Sequence, residues 1–359
     1  MNDILNLVLL QDIISLPKEI LQDMATDLNI PTNLSTRELA VSIWQSNRGQ
    51  YKTFNCVRNR ILGGRTSVTW YQLDENQSLT GAKEVIIENC QFNPFEEIRI
   101  PDAEELTNTP ILIGGAYGDS EEEYYLRFMY KSGVTQSFHG TRLYVQPNSA
   151  VKTIYVNEDK NCIEVRTDAR VANKFARGIA QLLRQQISVS AKDILAPFGN
   201  NIEGIADALN GELIDATAIP EDFLLESLTE EQAEALMNIL SALDEYFQEG
   251  DIDQLSRNLQ LSRETFGNDL VSVPFTALIL SGLNKIAMGG SRKDLRLSSP
   301  LYNTFRPHVQ NQGGFIRFSI QEDGVINPYT IKVGLNTKSV YFLTQASEAA
   351  IKYVRGKLL

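Results

Sequence analysis

The chain has 359 residues, 43% of them hydrophobic, and a formal net charge of −12, a length that suits two or three domains with ordinary cores. No run of eighteen apolar residues occurs, so no membrane-spanning helix is expected. Three cysteines far apart in sequence, Cys56, Cys90 and Cys162, fit a reducing cytoplasm better than a disulfide framework.

With no CxxC pair and only two histidines, His139 and His308, the ligand spacings of a structural zinc site are missing. No metal and no cofactor are therefore expected. The charge is polarised along the chain. Between Lys192 and Arg257 stand sixteen carboxylates and no lysine or arginine, so the remainder is slightly basic. The two parts can take different partners.

Residues 4–10 are apolar, flanked by Asp3 and Asp12, with no basic stretch ahead of them. They read as a short helix packed on a helical hairpin, not as a signal peptide. In that hairpin, Pro17 suits a first helical position. Ile20, Leu21, Met24 and Leu28 recur at three- and four-residue spacing, and Pro31 is expected to end the first helix. Ser35 and Glu38 have capping-box spacing, opening a second helix whose stripe is Leu39, Ile43 and Trp44. Two short helices joined by Pro31-Thr32-Asn33, the second opening on Arg37, resemble the SAP and helix-extension-helix modules. The resemblance covers residues 15–45, about thirty of the 359, and implies DNA binding. The next stretch holds Arg48, Lys52, Arg58, Arg60 and Arg65 without a carboxylate, with Tyr51 and Phe54 interleaved. Such a segment suits phosphate contacts that weaken as salt rises.

Residues 61–146 read mainly as strands: Ser67 to Tyr71 after a Gly63-Gly64 turn, Val85 to Ile87, Pro110 to Ile113, Tyr124 to Tyr130 and Thr141 to Val145. Gly114 to Gly118 reads as a turn, since it lacks the lysine of a phosphate loop and the spacing of a dinucleotide fingerprint. The acidic segment reads as helical. Thr229 and Gln232 have capping-box spacing, and Ala233, Leu236, Met237, Leu240, Leu243 and Phe247 form one apolar face. The carboxylates of residues 203–253 suit a basic protein partner or restraint of DNA binding in cis. Beyond it, Gly289-Gly290-Ser291 leads into Arg292, Lys293 and Arg296, a second candidate nucleic-acid contact.

One module appears twice. Thr153 to Val156 aligns with Thr330 to Val333, Ile163 to Val165 with Val340 to Phe342, and Lys174 to Gly178 with Lys352 to Gly356. Each copy reads as a β-hairpin followed by a helix, with Thr167 or Thr344 where an N-cap belongs. An extra strand is expected before each hairpin, at 141–145 and 315–320. The two helices are expected on one face of a shared sheet. Lys174, Arg177, Lys352 and Arg355 are candidate phosphate contacts on those helices.

No GxSxG elbow, HExxH, Walker loop or kinase signature is present, and no catalytic residue is assigned. Cys162 with a histidine, or Asp159 and Glu164 with Arg166 in a metal-dependent nuclease, are the enzymatic arrangements weighed against that reading. The sequence thus describes an α+β protein in five parts: a SAP-like hairpin at 1–46, a basic linker and β-rich region at 47–150, a first β-hairpin–helix copy at 151–186, an acidic helical insertion at 187–284, and a basic loop with the second copy at 285–359. The expected function is a non-enzymatic, cytoplasmic, nucleic-acid-associated protein, a subunit of a larger assembly that prefers DNA to RNA and has no membrane contact. A protein–protein adaptor without nucleic-acid contact is the alternative.

Overall fold

The computed structural model describes residues 3–46, 55–74, 76–183, 189–218, 286–289, 314–322, 324–334 and 336–359, with Asn238, Arg257, Gln260, Asp294 and Arg296. The expected cap at Thr229 and the helix after it lie outside these residues. The fold is α+β, and its paired strands are antiparallel. No described helix is long and apolar enough to cross a membrane. The chain divides into two units: 1–194 with 320–331 and 336–359, and 195–319 with 332–335.

In the first unit, helices α1 (Leu10–Ile14), α2 (Lys18–Asp27), α3 (Thr36–Ser46) and α4 (Asn55–Leu62) precede the first strand. Ser35 and Glu38 form their capping box: Ser35 N donates to Glu38 Oε2 (2.9 Å) and Glu38 N to Ser35 Oγ (3.3 Å). Asn29, not Pro31, ends α2. Asn29 has φ of 56°, and Ile30 N and Asn29 N donate to Ala25 O (2.8 Å) and Thr26 O (3.1 Å), closing the helix as a Schellman motif. Leu21, Met24, Leu39 and Ile43 share one buried cluster with Ile4, Leu7 and Val57.

The strands of this unit are β1 (Ser67–Leu73), β2 (Ile111–Tyr117), β3 (Glu123–His139), β4 (Arg142–Asn157), β5 (Cys162–Arg166), β6 (Val189–Ala191), β11 (Ser339–Phe342) and the start of β10 (Val325–Gly334). Their order is β2-β3-β4-β5-β1-β11-β10, with β6 also on β1. Gly114 to Tyr117, expected as a turn, lies inside β2. A Cβ on Gly114 would come within 2.8 Å of Leu7 Cδ2, and one on Gly115 within 2.9 Å of the Phe95 ring. These glycines therefore admit close packing rather than a bend. Thr141 to Val145 is no separate strand: Arg142 onward opens β4, and the strand before that hairpin is β3.

Val85 to Ile87, expected as a strand, belongs to helix α5 (Ala82–Asn89). The Glu158 carboxylate accepts from Gly81 N and Lys83 N, both at 2.8 Å, and satisfies two of the N–H groups a helix start leaves free. Helix α6 (Ala169–Leu182) is capped by Asp168, and the C-terminal helix α8 (Glu348–Leu358) by Ser347. The expected caps stand three residues or fewer too early. Thr167 is buried with no partner for its hydroxyl among the described residues, and Thr344 Oγ1 accepts from Thr330 N (3.2 Å).

Helices α6 and α8 lie on opposite faces of β5, not on one. Phe175, Ala176 and Ile179 of α6 pack with Ile163 and Val165. Glu348 and Arg355 of α8 reach Arg166 and Glu164, the alternate positions. Geometry explains the difference. Both β5 and β11 run antiparallel to β1 on its two sides, so a half-turn about β1 exchanges them and with them the two faces.

On the α8 side Glu164 is fully buried. Its Oε2 accepts from Trp70 Nε1 (2.7 Å) and Arg355 Nη1 (3.0 Å), and its Oε1 from Arg166 Nε (2.8 Å). Burial alone would raise this carboxyl. The Arg166 and Arg355 guanidiniums and the Trp70 hydrogen bond outweigh it and hold Glu164 below the usual carboxylate range. Arg166 also donates to Glu348 (Nη2 to Oε1, 3.0 Å) and to Leu62 O.

The second unit contains α7 (Ile202–Ala208), β7 (Glu212–Ala218), β8 (Ile286–Gly289) and the start of β9 (Gly314–Glu322). The acidic segment is therefore not wholly helical. Strand β7 pairs with β8 and β9, and Glu212 faces Arg317 across the ladder with Arg317 Nη2 2.6 Å from Glu212 Oε2.

Glu164→Gln is expected to lower stability at neutral pH by about 3–5 kcal/mol, because two buried guanidiniums lose their counter-charge. Since the folded carboxyl lies below its unfolded value, its contribution is complete above about pH 4.3 and is lost as pH falls through the folded value. Urea unfolding of both proteins at neutral pH and at about pH 3 checks this: the gap should narrow in acid.

Candidate nucleic-acid interface

The sequence places five cations between Arg48 and Arg65. Arg48 and Lys52 lie outside the described residues. The other three are set by α4 and the turn after it. Arg58 is exposed and 3.4 Å from Asp3 Oδ2. Arg60 is half-buried, its Nε donating to Ser15 Oγ (3.2 Å), and Arg65 is exposed. Arg37 is exposed in the first turn of α3. Arg292 and Lys293 lie outside the described residues. Arg296, in the second unit, is bound internally: its Nη2 donates to Asp294 Oδ2 (2.7 Å) and Gly211 O (2.8 Å), and its Nη1 to Asp207.

Arg60 and Arg65 converge on a cavity of about 260 Å³ walled by α1, α4 and the strands β3 to β5. Arg127, Lys152 and Arg166 complete its cationic lining, and Asp12 is the one carboxylate among the lining residues. The walls explain why the cavity persists. Thr153 Oγ1 donates to Ile61 O (2.9 Å) and Arg166 to Leu62 O, so sheet donors satisfy carbonyls that the end of α4 leaves free. Arg127, 2% exposed, donates from Nη1 and Nη2 to the two oxygens of Asp12, both at 2.8 Å, and to Leu7 O. That fork ties α1 to the sheet.

Within the lining, Arg127 and Arg166 are matched by Asp12 and by Glu164 with Glu348, which leaves an excess of positive charge on Arg60, Arg65 and Lys152. Burial pulls the Lys152 ammonium below its ordinary range; the like charge of Arg60 adds to this, and Asp168 opposes it. Two donors in the lining, Gln11 Nε2 and Arg127 Nε, are buried without a hydrogen-bond partner among the described residues. Excess cations, unused donors and partial desolvation together suit a bound anion. Arg127, Lys152 and Arg166 were missed as members of this site because strands β3 to β5 bring them to α4 from far along the chain.

A larger cavity of about 460 Å³ lies by α5, β2 and α6, lined by Phe92, Leu112, Phe128 and Leu182. Its thiol, Cys90, is pushed up by burial, and no comparable cluster of cations faces it.

Among the described residues the enzymatic arrangements do not assemble; His308, the second histidine weighed with Cys162, lies outside them. Both oxygens of Glu164 are taken by Trp70, Arg166 and Arg355, so the carboxylate proposed for a metal is locked in the core. Burial pushes the Cys162 thiol up to about 12, unsuited to a thiolate nucleophile, and His139 is exposed at the end of β3. Among the described residues no group of three or more His, Cys, Asp or Glu is placed to hold a metal. Of the helix cations, Lys174 and Arg177 are exposed, Lys352 lies 2.6 Å from Asp119 Oδ2, and Arg355 is buried on Glu164.

Comparison with protein-family models, with curated proteins and with solved structures gave no match.

Inorganic phosphate is expected to raise the melting temperature above that in chloride at equal ionic strength, since a ligand of the folded state stabilises it by mass action. Arg60→Gln should remove the difference in a thermal-shift titration.

Proposed function

We propose that the chain is a non-enzymatic, nucleic-acid-associated protein, a DNA-binding subunit of a larger assembly. The observation that carries this reading is the convergence of Arg60, Arg65 and Lys152 on one cavity, with Arg58 exposed on the same helix. Phosphate oxygens are the ligands that unpaired arginines match best. The α2–α3 pair, with Arg37 exposed at the start of α3, acts beside it as the SAP-like element that the sequence suggests. The duplicated hairpin–helix unit supplies the scaffold, a role supported by the half-turn relation of β4-β5 and β10-β11 about β1. Residues 203–253 engage a basic protein partner or restrain DNA binding in cis. The internal pairing of Asp207 with Arg296 and of Glu212 with Arg317 removes two carboxylates from that role. Free thiols at Cys56, Cys90 and Cys162 support a cytoplasmic location.

A protein–protein adaptor is the second reading, favoured by Ile100, Val325 and Ile326, which are apolar and exposed in the first unit.

The discriminating experiment is binding of a fluorescent DNA duplex by the intact chain across a salt series. Arg60→Glu with Arg65→Glu is expected to weaken binding at least about tenfold and to flatten the salt dependence, because charge-reversed residues release no counterions from phosphate. Unchanged affinity in the double variant would reject the reading.

A further inference from the structure

Beyond Lys131 and Ser149 the strands β3 and β4 pair with each other alone among the described residues, forming a two-stranded ribbon closed by Gly140-Thr141. From Lys131 to His139 it runs for about 27 Å at the usual rise of an antiparallel strand. Side chains opposite each other share a face. The cross-strand pairs Val134 with Pro147, Gln136 with Val145 and Phe138 with Leu143 make one face almost wholly apolar. The pairs Thr135 with Gln146, Ser137 with Tyr144 and His139 with Arg142 make the other face polar. Phe138, at the tip, is 74% exposed and Val145 53%. Side chains of this kind facing solvent along a whole ribbon mark an interaction surface.

Charge identifies the partner. The ribbon, from Lys131 to Ser149, holds Lys131 and Arg142 and not one carboxylate, in a protein of net charge −12. A polyanion with an apolar interior satisfies both features, and a nucleic-acid duplex is one.

We infer that this ribbon is a DNA-reading arm that seats its apolar face against the minor groove, with Phe138 wedged at a base step and Arg142 and Lys131 on the flanking phosphates. Apolar wedges on strands that enter the minor groove unstack a step and kink the duplex, which opens the groove to more protein surface. The phosphates alone would give no such purchase, since a B-form minor groove is only about 6 Å wide. The inference rests on the nucleic-acid reading above but invokes residues separate from Arg60 and Arg65, so the two can fail independently.

The test uses the full chain with a short duplex carrying a fluorophore pair at its ends and 2-aminopurine at successive steps. Phe138→Ala and Arg142→Gln change exposed positions, and unchanged melting temperatures would confirm that each variant is folded. The wild type is expected to bend the duplex and to brighten 2-aminopurine at one step. Phe138→Ala should lose both signals and bind about tenfold more weakly; Arg142→Gln should keep the bend and reduce the salt dependence. Equal bending and affinity in the wild type and Phe138→Ala would overturn the arm while leaving Arg60 and Arg65 to carry DNA binding. No duplex binding by the wild type at low salt would overturn both readings. If Phe138→Ala leaves DNA binding intact but abolishes self-association in sedimentation, or abolishes binding to phosphatidylcholine vesicles, the apolar face belongs to a second copy or a lipid surface and the inference is wrong.

Discussion

A single buried carboxylate, Glu164, ties together parts of the chain that sequence separates widely. Its three donors come from β1, β5 and the C-terminal helix, through Trp70, Arg166 and Arg355. An ionised carboxylate in a core is tolerable only when its counter-charges are held in place. The same guanidiniums are held in turn: Arg166 lies over Tyr125 and Tyr155, and Arg355 stacks 3.8 Å from the Tyr155 ring centroid. Because Arg166 also reaches Leu62 O and lines the cavity below α4, the position of the basic helix depends on this core interaction. The stability of the fold and the geometry of the candidate interface are therefore coupled through one residue.

Local signals were legible where they act over a few residues. The Ser35–Glu38 box forms, and β1 is read correctly because Ser67 to Tyr71 combines β-branched and aromatic residues with a preceding Gly63-Gly64. The misreadings share a cause: the deciding partner lies far away in sequence. Gly114 and Gly115 look like a bend until Leu7 and Phe95 press against them. Val85 to Ile87 look like a strand until Glu158 caps α5 from the far end of β4. For a short apolar run, periodicity alone does not separate helix from strand. The repeat was visible as aligned residues, but the placement of its helices was not, since that depends on the order of strands around β1.

The candidate interface was legible in part. Arg60 and Arg65 stand out as cations without neighbouring acids, whereas Arg296 looks similar in sequence and is neutralised by Asp207 and Asp294. The β3–β4 ribbon went unread, although the sequence carries its signal: an uninterrupted stretch without carboxylates between Glu123 and Glu158, broken midway by Gly140. Charge counted over the whole chain hides this, because the acidic segment dominates the total. Both the cavity rim and the ribbon belong to the first unit, so a nucleic acid bound there would meet local clusters of cations, while the long run of carboxylates lies elsewhere in the sequence.

Hydrogen exchange of the intact protein, with and without a DNA duplex at low salt, tests this account most directly. The account predicts slowed exchange in two stretches, the ribbon between Lys131 and Ser149 and the segment from Arg58 to Thr66, with the buried strands around Glu164 unchanged. Protection confined to other parts of the chain, or none at a saturating duplex concentration, would contradict it.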